Sequence, residues 1–253
     1  MTSGEETSGE GTPGEASQPW WVAAFGPDYL TVYAHRDDGA AAAEVAGLLP
    51  MLGNGPVLDA CCGNGRHLAE LRRRTLPAVG FDYSATLVQS ANARGAVAGH
   101  VTRADVRAIP FTGGFSAVLV LFTAFGYFDE ADNVHALAAL ARQLAPGGRL
   151  LLDLPDPERL RQSLVPFSER QAGELFVSER RSLVGSRVVK DVTITRADGS
   201  SHAYQESVRL YTATEIAELA ARVFLRVETC WSGLRGPTSD EGRQAWWLMA
   251  NGV

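Results

Sequence analysis

Between residues 56 and 154 short apolar runs alternate with amphipathic stretches, and this alternation predicts a series of βα units. Pro56 to Ala60, Ala78 to Phe81, Gly99 to Arg103, Phe115 to Phe122 and Gly148 to Leu154 read as strands, with helices over Arg66 to Arg74, Ser84 to Arg94 and Asp132 to Leu144. Successive units of this kind imply a parallel sheet with helices on both faces, and their short length favours a doubly wound sheet over a barrel. Ahead of them Phe25, Tyr29 and Tyr33, then Ala42, Val45, Ala46, Leu48 and Leu49, recur near helical spacing, so two helices are expected between Trp20 and Leu52.

From Gly173 the texture changes. Glu174 to Leu183, Arg187 to Thr195 and Ser201 to Tyr211 are strand-like, and Asp198-Gly199 marks a hairpin. Thr212-Ala213-Thr214-Glu215 then reads as a capping box opening a helix to Val223, followed by strands over Arg226 to Trp231 and Gln244 to Met249. The expected organisation is a disordered tail over 1–18, a core over 19–172, an antiparallel β insertion over 173–211 and the rest of the core over 212–253.

Composition narrows the function. A formal net charge of -6 disfavours a broad phosphate-binding face, so nucleic acid is not an expected partner. Three cysteines, with Cys61 and Cys62 adjacent, make no disulfide framework and point to a reducing, cytoplasmic setting. No signal peptide or membrane span is expected. The cysteine pair lacks the Cys-x-x-Cys or clustered His of a metal site, and the five histidines are scattered with no triad context, so neither a metal nor hydrolytic chemistry is expected.

The candidate chemistry gathers at strand ends. Val57-Leu58-Asp59-Ala60-Cys61-Cys62-Gly63-Asn64-Gly65 puts small residues between a buried strand and a helix start, where backbone N–H groups can approach a ligand. A dinucleotide fingerprint would place a third glycine where Leu68 stands. Asp59, read as lying in the turn, would repel pyrophosphate and attract an ammonium. Asp82 ends the second strand, where it could accept both ribose hydroxyls of a nucleoside, and Asp105 follows the third, where it could accept an adenine amino group beside Val106. Each acid also has an ordinary reading as a cap or turn residue.

Taken in order, Val57 to His67, Gly80 to Ser84, Ala104 to Phe111, Phe115 to Phe128 and Pro146 to Leu154 resemble the motifs of class I S-adenosylmethionine-dependent methyltransferases, of the group related to small-molecule and sugar N-methyltransferases. The resemblance implies an α/β fold, a Rossmann-like seven-stranded mixed sheet with helices on both faces, its last strand antiparallel, carrying the small antiparallel β insertion. It implies S-adenosylmethionine as cofactor, with backbone at Cys61, Gly63 and Gly65 along the methionine portion, Asp82 at the ribose, Asp105 and Val106 at adenine, Leu121 and Phe122 lining the methyl donor, and Tyr83 as a further cofactor contact. Cys61 departs from the family pattern, which has glycine there. Tyr33 and Arg36, with Tyr29 as fallback, are the implied contacts to the donor carboxylate, and Tyr127 stands where related enzymes place a substrate-facing residue, often histidine.

The expected function is methyl transfer to a small-molecule nitrogen, oxygen or carboxyl acceptor, with the insertion shaping specificity or pairing two copies. Two rivals stay open: an NAD(P)-dependent oxidoreductase on the same fold, and a non-catalytic cofactor-binding protein. Trp231, Trp246 and Trp247 read either as a ligand cage or as core.

Overall fold

Residues 18–250 are described by the structure, a computed structural model, so the expected tail lies outside the described residues apart from Gln18. The N-terminal region holds three helices, α1 (Trp20–Ala24), α2 (Tyr29–Val32) and α3 (Asp38–Leu52), where two were expected. Gly26 and Pro27 split the first stretch, and the Asp37 carboxylate caps α3 by accepting the Ala40 N–H at 2.8 Å.

The βα series follows as β1 (Val57–Ala60), α4 (Arg66–Arg73), β2 (Ala78–Asp82), α5 (Ala85–Asn92), β3 (Val101–Arg103), β4 (Phe115–Val120), α6 (Glu130–Ala141) and β5 (Leu144–Pro155). Helix α6 begins before the expected Asp132 because Asp129 is its cap, accepting the Asp132 N–H at 2.8 Å. A short α7 (Pro157–Ser163) was not expected; Asp156 caps it and Pro157 suits its first turn, so this Asp-Pro pair is a helix start.

The insertion is a four-stranded antiparallel sheet, β6 (Phe167–Ala172), β7 (Leu175–Val184), β8 (Arg187–Thr195) and β9 (Ser201–Arg209), one strand more than expected. Strand β6 escaped notice because its inward positions, Ser168, Arg170 and Ala172, carry only one apolar side chain. Thr212 and Glu215 form the expected capping box of α8 (Ala213–Arg222), after which β10 (Leu225–Trp231) and β11 (Arg243–Ala250) finish the main sheet.

That main sheet has seven strands in the order β10-β11-β5-β4-β1-β2-β3, parallel except for β11, which runs antiparallel to both neighbours. The expected Rossmann-like mixed sheet is therefore present. Trp246 and Trp247 are adjacent on β11 and point to opposite faces, each into a different core. Trp231 packs on Trp247 at 5.6 Å between ring centroids, so these tryptophans are core and not a ligand cage. The inner face of the second sheet, through Leu175, Val177, Val192 and Ile194, packs on Val32 of α2. The insertion thereby fixes the N-terminal helices over the carboxyl ends of β1, β2 and β4.

Candidate functional site

Strand order reverses between β1 and β4, and connections leaving in opposite directions open a crevice at such a point. Here it is a cavity of about 610 Å³, floored by the strand-end loops and roofed by Trp21, Phe25, Tyr29, Tyr33 and Arg36. Tyr33, Arg36, Asp59, Cys61, Gly63, Asp82, Tyr83, Asp105, Val106, Leu121, Phe122 and Tyr127 all line it. Of the expected site residues only Gly65 does not. It is the left-handed N-cap of α4, φ 73°, and a side chain there would meet Ala91 at 3.3 Å and Val97 at 3.4 Å. Its smallness serves helix packing, while Cys61, at φ 57°, takes the strained turn without the help of glycine.

Asp82 is held on both oxygens: Oδ2 accepts the Gly63 N–H and Oδ1 the Ser84 N–H, each at 2.8 Å. Burial raises its carboxyl pKa, and these backbone N–H groups oppose that rise. Each oxygen keeps a lone pair for a further donor. The cap of α5 is Ser84, not Asp82, because the Ser84 hydroxyl accepts the Leu87 N–H at 3.2 Å.

Asp59 corrects the sequence reading. It lies within β1, paired with Gly80 and Leu119 on either side, rather than in the turn. It is 1% exposed, its Oδ2 has no hydrogen-bond partner, and burial lifts its carboxyl to about 7, against the pull of Arg66. A buried, orphaned carboxylate oxygen on a cavity wall is a place for a cationic donor.

Asp105 is braced by Arg107, whose backbone N–H at 2.8 Å and Nε at 3.1 Å both reach Oδ1 and whose Nη2 reaches Oδ2 at 2.8 Å, which leaves Oδ2 a lone pair for a further donor. Those hydrogen bonds keep it ionised, below its ordinary range. Arg107 reaches on to Asp132 at 2.6 Å and stacks over Phe128, so this corner is a built ion-pair network.

Sequence reasoning missed a buried triad. Glu44 of α3 accepts from Arg66 at 3.0 Å and pairs with His67 at 2.7 Å, both at the start of α4. Burial raises the Glu44 carboxyl, but the His67 hydrogen bond and the Arg66 charge outweigh it and leave the group low, while burial also lowers the His67 imidazole and so favours its neutral form. Also missed was Asp153 of β5, which with Arg243 of β11 secures the turn that carries Phe122. No local signal marks either set, since the partners come from separate elements.

Tyr127 is enclosed by Trp20, Trp21 and Phe25, at 4.6, 6.5 and 6.1 Å between ring centroids. Burial, with Tyr29 and Glu206 nearby, drives its phenol far above the usual range, so it stays protonated. Among the described residues no group of three or more His, Cys, Asp and Glu side chains is placed to hold a metal ion, and no helix is long and apolar enough to cross a membrane.

Residues 57–148 match a family described as a methyltransferase domain. A stretch of 110 residues is 37% identical to demethylmenaquinone methyltransferase of Thermus thermophilus; it covers 41% of this chain and 49% of that enzyme, so the chain spans about half the length of the curated relative it matches. In fold, the chain is similar to an S-adenosylmethionine-dependent methyltransferase of Clostridium acetobutylicum, with a TM-score of 0.73 at 15% identity over 88% of this chain and 96% of that one. It is also similar to a sugar N-methyltransferase of Streptoalloteichus, with a TM-score of 0.68 at 21% identity over 100% and 99% of the two chains.

Proposed function

From the match of residues 57–148 to a methyltransferase-domain family, we propose that this chain is an S-adenosylmethionine-dependent methyltransferase that modifies an amine nitrogen of a small molecule. The observation that carries this reading is the line of groups along one cavity: orphaned Asp59, Asp82 with a lone pair left on each oxygen, and Arg36, which makes no ion pair among the described residues. They fit an ammonium, a ribose diol and a carboxylate respectively, the three polar features of that cofactor's amino acid and sugar. Val106 and the Asp105–Arg107 pair would flank its base, Tyr83 beside Asp82 would stand near the ribose, and Leu121 would line the sulfur.

The cofactor would supply a methyl group already activated by a sulfonium, so the protein's work is alignment and exclusion of water. Trp21, Phe25, Tyr29 and Phe128 enclose the remaining volume with apolar faces. An amine that arrives unprotonated can attack without a base, which a hydroxyl acceptor requires, and this favours an amine acceptor. Two of the cavity's titratable groups are engaged within the protein, Tyr127 held as a phenol and His67 paired with Glu44. Tyr127 then orients the acceptor as a hydrogen-bonding wall.

Calorimetry with S-adenosylhomocysteine, followed by a labelled-methyl survey of amine pools, tests the proposal. Binding together with a labelled amine supports it. Tight NAD(H) binding without S-adenosylhomocysteine would favour the oxidoreductase, and binding without any labelled product a non-catalytic protein. We further propose a cytoplasmic setting and a homodimer through 173–211, supported by exposed Phe176, Leu183 and Val184 on that sheet. A single-chain mass in light scattering would end the dimer reading.

A further inference from the structure

The turn after β4 holds two consecutive non-glycine residues in the left-handed region, Phe122 at φ 55° and Thr123 at φ 64°. For a β-branched residue such as Thr123 this conformation is a true outlier, and it persists only where the surroundings enforce it. The enforcing groups come from two distant strands. Asp153 Oδ2 accepts the Phe122 N–H at 2.7 Å, and the Asp153 carbonyl accepts the Thr123 N–H at 3.0 Å. Arg243 donates through Nε to Asp153 Oδ1 at 2.6 Å and through Nη2 to the Thr123 hydroxyl at 2.9 Å. Asp153 is fully buried, and both of its carboxylate oxygens are used in this clamp.

The clamp sets the place of one ring. Around Phe122 stand the guanidinium groups of Arg66 at 4.4 Å, Arg36 at 4.9 Å and Arg243 at 5.4 Å from the ring centroid, with the His67 ring at 5.5 Å. Cations rest on an aromatic face because the ring quadrupole attracts them, so moving the ring moves the cations. Arg66 Nη1 is spent on Glu44, whereas Arg36 lines the cavity with no carboxylate partner among the described residues. Its rests are the rings of Tyr33, at 4.6 Å, and Phe122.

We propose that Asp153 and Arg243 are positioning residues: they hold Phe122 as the platform on which Arg36 and Arg66 sit, and so set recognition of the carboxylate of the methyl donor. This inference rests on the function proposed above. It gives the buried acid of β5 and the first residue of β11 a ligand-specific task, one that neither performs by touching the ligand.

The test compares two probes, S-adenosylhomocysteine and 5′-deoxy-5′-methylthioadenosine, which shares the nucleoside but lacks the amino acid, its ammonium and carboxylate together. In Arg243→Met, and in the near-isosteric Asp153→Asn should the first variant fail to fold, S-adenosylhomocysteine affinity should fall about tenfold while methylthioadenosine affinity stays within about twofold. Thr123→Gly added to Arg243→Met should recover most of the loss, because glycine adopts a positive φ without being held. Equal losses for both probes, no loss, or no recovery with glycine would overturn the inference. Wild-type protein that binds neither probe would instead overturn the proposed function.

Discussion

On the floor of the cavity, ligand-facing groups are placed by residues close to them in sequence: Asp82 by the Ser84 N–H, Asp105 by Arg107, and Cys61 and Gly63 by a turn that follows β1 directly. On the roof the opposite holds. Tyr33 meets Lys190 of β8 at 3.2 Å from 157 residues away, and Lys190 is itself held by Glu206 at 2.6 Å and Glu179 at 3.5 Å. Most of the floor is therefore a product of local backbone geometry, with the Phe122 turn, held from β5 and β11, as its exception, and the roof is a product of the N-terminal helices docking on the second sheet. Damage to the floor should act on affinity directly, whereas damage to the roof should be diluted by the many contacts that keep α2 in place.

The sharpest way to break this contrast is Asp82→Ala. Removing a carboxylate that holds two backbone N–H groups and, on the proposed function, the ribose diol should cost about 3 kcal/mol of binding, roughly a hundredfold in the calorimetric affinity for S-adenosylhomocysteine. A loss smaller than that from any roof variant would invert the comparison.

Next comes the pH dependence set by Asp59. With its carboxyl raised to about 7 and an ammonium binding the ionised form, affinity should drop about tenfold per unit as pH falls below 7, and Asp59→Asn should flatten the profile. The same shift has a stability consequence of opposite sense. A carboxyl raised from 3.8 binds a proton more tightly folded than unfolded, so its contribution is whole below pH 3.8 and is lost as pH rises through 7. Ligand-free Asp59→Asn should therefore melt above wild type at pH 8, and the two curves should meet near pH 4.

Gly65→Ala separates fold from ligand contact on the floor itself. At φ 73°, with Ala91 and Val97 close by, the substitution should cost about 1–2 kcal/mol in denaturant unfolding and leave affinity nearly unchanged in the folded fraction. A large affinity loss at unchanged stability would put Gly65 back at the ligand.

The smallest effect is expected on the roof. Tyr33→Phe removes the hydroxyl bond to Lys190 and keeps the ring beneath Arg36, so S-adenosylhomocysteine affinity should fall by about threefold at most. A hundredfold loss there would show that the roof is as directly engaged as the floor.

The legibility of the site follows the same division. Asp82, Val106 and the small residues after β1 could be found from a linear reading, because a strand end, a turn and a helix start leave marks at fixed short spacing. The α/β alternation and the antiparallel last strand were legible for the same reason, since the two periodicities of helix and strand are properties of neighbouring residues. Glu44 beside His67, and Asp153 beside Arg243, left no such mark. Their partners are 23 and 90 residues away, and nothing local distinguishes these acids from surface ones.

What the amino-acid order determined by itself was the βα alternation, the capping box of α8, the parallel crossovers and the places of Asp82 and Asp105 at strand ends. Only the packed molecule decided that Asp59 sits inside its strand with an unpartnered oxygen, that Arg107 braces Asp105, that Tyr127 is sealed as a phenol, and that a fourth strand widens the insertion. The physical reason is that burial and long-range pairing set a group's solvation and partners, and both arise only when distant segments exclude water from the same volume.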